Sequence, residues 1–136
     1  MKIFFDTNVH IADALLGKMA TRLIKATYQA KWRMYSSQYV LDEVARVLVD
    51  DLDFSVGLAK LAQRRILRRF ILVEARSRAK VPEDPKDSPI LQAALTCGAD
   101  YLVSNDRHLL SLNPFEGLRI LSMEDYYSLL KSHGLI

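Results

Sequence analysis

Two rhythms of apolar positions alternate along the chain. Ile3-Phe4-Phe5 is a short unbroken apolar run that stops at Asp6, the pattern of a strand buried on both faces in a parallel sheet. Val9 to Leu16 and Met19 to Ala30 read as two helices parted near Gly17 and Lys18, and Met34-Tyr35 as a second short strand. From Gln38 to Asp50, Val40, Val44, Val47 and Leu48 recur at helical spacing, with Ser36 or Ser37 placed to cap that helix. A fourth helix starts near Gly57. Ala59, Ala62, Ile66 and Phe70 project to one side of it, Lys60, Arg64 and Arg68 to nearly the opposite one, with Arg65 and Arg69 alongside. Pro82 and Pro85 among charges make Arg76 to Asp87 a surface connection. Asp87 then opens a helix with Pro89 in its first turn, Ile90 to Cys97 as its apolar body and Gly98 as a left-handed end. Tyr101-Leu102-Val103 and Arg119-Ile120-Leu121 read as strands, and Ser122 caps a last helix running to about Ser132. Helices alternating with short apolar strands predict an α/β fold. Its centre is a mostly parallel sheet of roughly four to five short strands, flanked by helices.

A chain of 136 residues, half of them hydrophobic, has enough apolar material for one core, so a single domain over residues 1–136 is expected. The single cysteine, Cys97, rules out an internal disulfide framework and points to a reducing, cytoplasmic setting. Three apolar residues before Asp6 are too few for a signal-peptide core, and no apolar run reaches membrane-spanning length.

The formal charge of +3 is modest, but its distribution changes the picture. Lys18, Arg22, Lys25, Lys31 and Arg33 follow one another with no acid between Asp13 and Asp42, and from Lys60 to Lys80 only Glu74 interrupts the bases. A polyanionic partner such as RNA fits that distribution. Lys60, Arg64, Arg65, Arg68 and Arg69 are the candidate phosphate contacts, the competing reading being a plain solvated helix face. Trp32, Tyr35 and Tyr39 are candidates to stack on unpaired bases, against the commoner role of aromatic core.

In open α/β sheets ligands bind beyond the carboxyl ends of the strands, where Asp6 and Asp106 both fall. Either acid taken alone reads more readily as a helix cap or first-turn acid, and their joint placement weakens that reading. Glu43 lies beside the apolar arc of its helix, whereas Asp42 lies nearly opposite; pairing of Glu43 with Arg46 or Lys31 is the alternative. Asp87 before Ser88-Pro89 is an ordinary capping sequence unless it joins the others. Four carboxylates in one cleft must take up protons or recruit cations, and an all-oxygen set suits magnesium or manganese. Zinc has no donors at suitable spacing, with one cysteine and with His10, His108 and His133 far apart.

These stretches together resemble the PIN domain family, particularly its prokaryotic branch that includes VapC-type toxins. Ile3-Phe4-Phe5-Asp6-Thr7-Asn8-Val9 is similar to the family's opening strand and Asp-Thr-Asn signature, and Glu43 to its helix glutamate. Asp84-Pro85-Lys86-Asp87-Ser88-Pro89-Ile90-Leu91 and Gly98-Ala99-Asp100-Tyr101-Leu102-Val103-Ser104-Asn105-Asp106 resemble its third and fourth motifs. The match runs in order over residues 1 to about 125. The resemblance implies that residues 1–136 form one PIN-like nuclease domain. It further implies an endoribonuclease that holds one or two Mg2+ or Mn2+ ions on Asp6, Glu43, Asp87 and Asp106, with supporting polar contacts from Asn8 and Ser104. It also implies a toxin of a type II toxin–antitoxin pair, with RNA as substrate, a protein antitoxin and a homodimer. Ser88 and His108 depart from it, standing where many relatives carry acids. Asn8, where a haloacid-dehalogenase-type phosphatase needs a second aspartate, and the lack of a lysine after Asp106, as a response-regulator receiver requires, set those classes aside. A catalytically silent RNA- or protein-binding module and a housekeeping RNA-processing nuclease stay open.

Overall fold

The computed structural model describes residues 1–74 and 88–136. Five strands form one sheet in the order β3-β2-β1-β4-β5, every neighbouring pair parallel. They are β1 (Lys2–Phe5), β2 (Arg33–Ser37), β3 (Ile71–Val73), β4 (Tyr101–Val103) and β5 (Arg119–Leu121). The expected α/β class holds, and the sheet is wholly parallel. Ile3, Phe4, Phe5, Leu102 and Val103 are all fully buried, which is why the central strands read as unbroken apolar runs.

Seven α-helices flank this sheet among the described residues: α1 (Thr7–Ala14), α2 (Lys18–Gln29), α3 (Gln38–Arg46), α4 (Val56–Arg69), α5 (Ser88–Thr96), α6 (Arg107–Ser111) and α7 (Met123–Ser132). Gly17 parts α1 from α2 for a steric reason, since a Cβ there would stand 2.8 Å from the Ala12 carbonyl oxygen. Gly98 ends α5 at φ +68, the left-handed turn that a side chain would strain. Ser37, not Ser36, caps α3, accepting from the Val40 N–H at 3.3 Å. Ser122 caps α7 in the same way through the Asp125 N–H.

Three local features depart from the reading of the sequence. The third helix does not run on as α-helix to Asp50; it widens into a π turn over Val47–Asp51, with the Leu52 N–H reaching the Val47 carbonyl. Strand β3 follows α4 with no turn residue to announce it. Helix α6, five residues long, stands between β4 and β5 where the sequence pattern predicted no element. The connection expected over Arg76 to Asp87 lies outside the described residues.

On α1 the imidazole of His10 is buried edge-on against Phe70, with ring centroids 4.8 Å apart, and its Nε2 has no hydrogen-bond partner among the described residues. Burial pushes its pKa down to about 4, with nearby Asp13 opposing and Arg69 reinforcing the fall. The unfolded chain therefore takes up this proton as pH drops below about 6.5, whereas the folded chain takes it up only near 4. That difference removes roughly 3 kcal/mol of stability across the interval. Chemical denaturation at a series of pH values should show this loss in the wild type and its absence in His10→Leu; parallel profiles would contradict the buried neutral imidazole.

Candidate active site

Strands β2 and β3 extend to one side of β1, and β4 and β5 to the other, so the chain's direction of winding reverses between β1 and β4. Open α/β sheets bind ligands at such a switch point, beyond the carboxyl edge. Asp6 follows β1 there and Asp106 follows β4, on adjacent strands in register from Ile3–Tyr101 to Phe5–Val103. The Asp6 N–H continues the ladder to the Val103 carbonyl at 2.9 Å.

Asp6 is 7% exposed and sits at the hub of a hydrogen-bond network. Its Oδ1 accepts from the Thr7 N–H at 2.7 Å. Its Oδ2 accepts from Ser104 Oγ at 2.7 Å and from Asn8 Nδ2 at 3.2 Å. Ser104 Oγ in turn accepts from the Asp106 N–H at 3.0 Å and from Asn8 Nδ2 at 3.3 Å, joining the two acids through one buried hydroxyl. Asn8 Oδ1 closes the ring by accepting from the Asn105 N–H. The sequence marks Asn8 and Ser104 as supporting polar groups, and both stand in the network.

The Asp6 carboxyl is held above the usual carboxylate range. Burial is the main cause, opposed by the Ser104 and Thr7 hydrogen bonds and reinforced by the negative charges of Asp106 and then Glu43. Glu43 is therefore near enough to be felt electrostatically, although Arg46 clasps it in a two-point contact at 3.1 and 3.2 Å. The pairing with Arg46 that the sequence offered as the alternative is therefore present. Asp106 makes the cap the sequence allowed, its Oδ1 accepting from the His108 and Leu109 N–H groups at the start of α6. Asp6 likewise caps α1. Each cap uses one oxygen; at Asp6 the other oxygen takes Ser104 and Asn8, so the remaining acceptor position there is on Oδ1 beside Thr7, whereas the Asp106 cap uses Oδ1 alone.

Asp87 lies outside the described residues. Among the described residues no three Asp, Glu, His or Cys side chains already form a metal-holding group. The donor set nonetheless fits a hard divalent cation: it is all oxygen, dehydrated at Asp6 and mutually repelling. Sequence reading assigned no part to Asn105 or Thr7. Asn105 Oδ1 accepts from the Met123 N–H at 2.9 Å, fastening the start of α7 to the segment that follows β4. An asparagine just beyond a strand was its only signal.

On α4, Lys60, Arg64 and Arg68 are exposed as expected. Arg65 and Arg69 are partly engaged, standing 3.7 and 4.0 Å from the buried Asp13 carboxylate. Tyr35 is core at 9% exposure, Trp32 and Tyr39 are half-buried, and His108 is exposed on α6.

Two aspartates on adjacent strands at the switch point of a parallel sheet place a candidate site at its carboxyl edge. The PIN domain family model matches residues 2–108, and the chain belongs to that family. PIN domains are generally nucleases acting on RNA, and those nucleases typically use divalent metals. No curated protein matches the chain. No helix among the described residues is long and apolar enough to cross a membrane.

Proposed function

We propose that residues 1–136 work as one metal-dependent endoribonuclease domain cutting RNA phosphodiester bonds at the acidic cleft. The carrying observation is the buried Asp6 carboxylate, joined to Asp106 through Ser104 and raised in pKa by burial, Asp106 and Glu43. The unity of the domain is supported by β5 and α7, which lie beyond the family match yet complete the sheet and core: Tyr126 of α7 is fully buried and hydrogen-bonded to Thr27.

Asp6 and Asp106 are the principal holders of one or two Mg2+ or Mn2+ ions, with Glu43 and Asp87 completing the set. A bound divalent ion supplies positive charge at the phosphate and makes water a usable nucleophile near neutral pH. The chain's own part is to position and dehydrate the carboxylates. Ser104 and Asn8 fix the rotation of the Asp6 carboxylate, and Thr7 pins its second oxygen. Removing such an orienting contact costs about 10–100-fold in metal proteins generally. Ser104→Ala should accordingly lose cleavage by that factor and regain part of it at higher Mn2+; a variant as active as wild type at limiting Mn2+ would contradict the orienting role. Exposed Lys60, Arg64 and Arg68, with Arg65 and Arg69 beside them, contribute phosphate contacts.

The biological form we propose is the toxin of a type II toxin–antitoxin pair, of the VapC-type branch and cytoplasmic. Exposed Leu58 and Leu61 on α4, which share a groove with Ala14 just before exposed Leu15 and Leu16, support a protein partner on this face, a second copy or an antitoxin. Incubation of single-stranded RNA with the purified protein tests the chemistry: cleavage should require Mn2+ or Mg2+ and stop with excess chelator. Binding without cleavage, indifferent to either, would instead establish the silent-module reading. Growth arrest on expression, relieved by a co-expressed partner, separates the toxin from a housekeeping nuclease.

A further inference from the structure

At the amino end of the sheet, opposite the acidic residues, lies a cleft of about 490 Å³. That size falls within the roughly 300–1,000 Å³ range of small-ligand sites. Tyr28, Lys31, Trp32, Arg33 and Arg69 line it, and none of its lining residues is acidic. Three of these are consecutive. Lys31 adopts the left-handed conformation, φ 61, which a non-glycine residue takes only at a cost, and the turn brings Lys31, Trp32 and Arg33 all into the cleft wall. The indole of Trp32 is steadied by His133, edge-on with centroids 5.3 Å apart, while Tyr28 is 52% exposed. Arg69 is already turned toward Asp13, but Lys31 and Arg33 make no ion pair among the described residues.

Two aromatic rings beside two uncommitted cations, with no carboxylate, select a ligand that has a flat apolar face and a negative charge. An acidic peptide answers only the charge. An unpaired nucleobase with its phosphates answers both, stacking on an aromatic ring being worth about 1–3 kcal/mol per base. We propose that this cleft is an RNA exosite. It stacks an unpaired base on Trp32 and Tyr28 and takes the flanking phosphates on Lys31 and Arg33. The inference rests on RNA being the substrate. Strand β2, Arg33–Ser37, separates the exosite from the carboxyl edge, about 15 Å at ~3.3 Å per residue; because β2 is buried, a strand bound at both sites passes around the sheet. Contacts made far from the scissile bond hold substrate and transition state alike, and the exosite acts on KM rather than kcat.

Trp32 is the chain's one tryptophan, so its fluorescence reports this cleft alone. The full chain carrying Asp6→Asn, titrated with a short single-stranded oligoadenylate, should show saturable quenching that weakens with added salt. Arg33→Glu and Tyr28→Ala, each added to that background, should weaken binding about tenfold or more. In the cleaving protein the same two substitutions should raise KM and spare kcat. Both alter exposed side chains, and unchanged thermal unfolding confirms the fold. No quenching, quenching indifferent to Arg33→Glu, or equal quenching by polyglutamate overturns the exosite. Failure of quenching with metal-dependent cleavage intact rejects the exosite alone; quenching without any cleavage by the unsubstituted protein keeps it and rejects the nuclease.

Discussion

Asp6→Asn is expected to lower RNA cleavage by at least on the order of 10³-fold while the chain stays folded. The substitution keeps shape and removes charge. Asp6 is the most buried of the described site acids, and its oxygens take hydrogen bonds from Thr7, Asn8 and Ser104. An amide can keep the Thr7 contact, but it faces Ser104 and Asn8 with a donor where an acceptor stood, and it has no charge with which to hold a cation. Losing the charge also relieves repulsion from Asp106 and Glu43, which offsets the hydrogen-bond loss in the folded state. The deficit therefore belongs to chemistry rather than folding. Cleavage rates at saturating Mn2+, read beside thermal unfolding curves, measure both; a folded variant within tenfold of wild type would remove Asp6 from the mechanism.

The second large effect is on stability. Phe5, immediately before Asp6, is fully buried, and its ring meets Phe70 and Tyr126 edge-on at 5.7 Å and His10 at 6.3 Å. It thereby ties β1 to α1, to α7 and to the segment leaving α4. Phe5→Ala leaves a cavity where these elements converge, with an expected cost of about 3–5 kcal/mol, equivalent to a fall in Tm of roughly 10–20 °C for a chain of this size. Denaturant titration at fixed pH gives the number directly. A loss below about 1 kcal/mol would mean that this corner of the core is not packed as described.

The central strands were legible because each is an apolar run short enough to cross a sheet and stops at a polar residue. β3 was not, since Ile71 and Leu72 are 51% and 41% exposed, and an edge strand entered straight from a helix carries neither alternation nor a turn. Helix α6 was hidden because five residues cannot display a period, although Asp106 caps it. The apolar spacing of α3 continues past Arg46, and periodicity alone does not distinguish another α turn from the π turn that replaces it.

For the site, strand ends located Asp6 and Asp106, and helical angle separated Glu43 from Asp42, which instead pairs with Gln38. The buried Ser104 hydroxyl that joins the two aspartates depends on β4 lying beside β1, which strand order decides and local sequence does not. Asp13 had no assigned part. Only the tertiary packing of α4 on this face reveals that it draws in Arg65 and Arg69, and that it accepts from Thr21 Oγ1 at 2.8 Å. Capping and a ligand role, treated as rivals for Asp6 and Asp106, do not exclude each other, because a cap commits one oxygen and leaves further lone pairs.

A crystal soaked in manganese and recorded at the manganese absorption edge gives the most direct test. A shared divalent site predicts anomalous density bonded to carboxylate oxygens of both Asp6 and Asp106. An empty map at these acids, with strong density elsewhere or none, would contradict it.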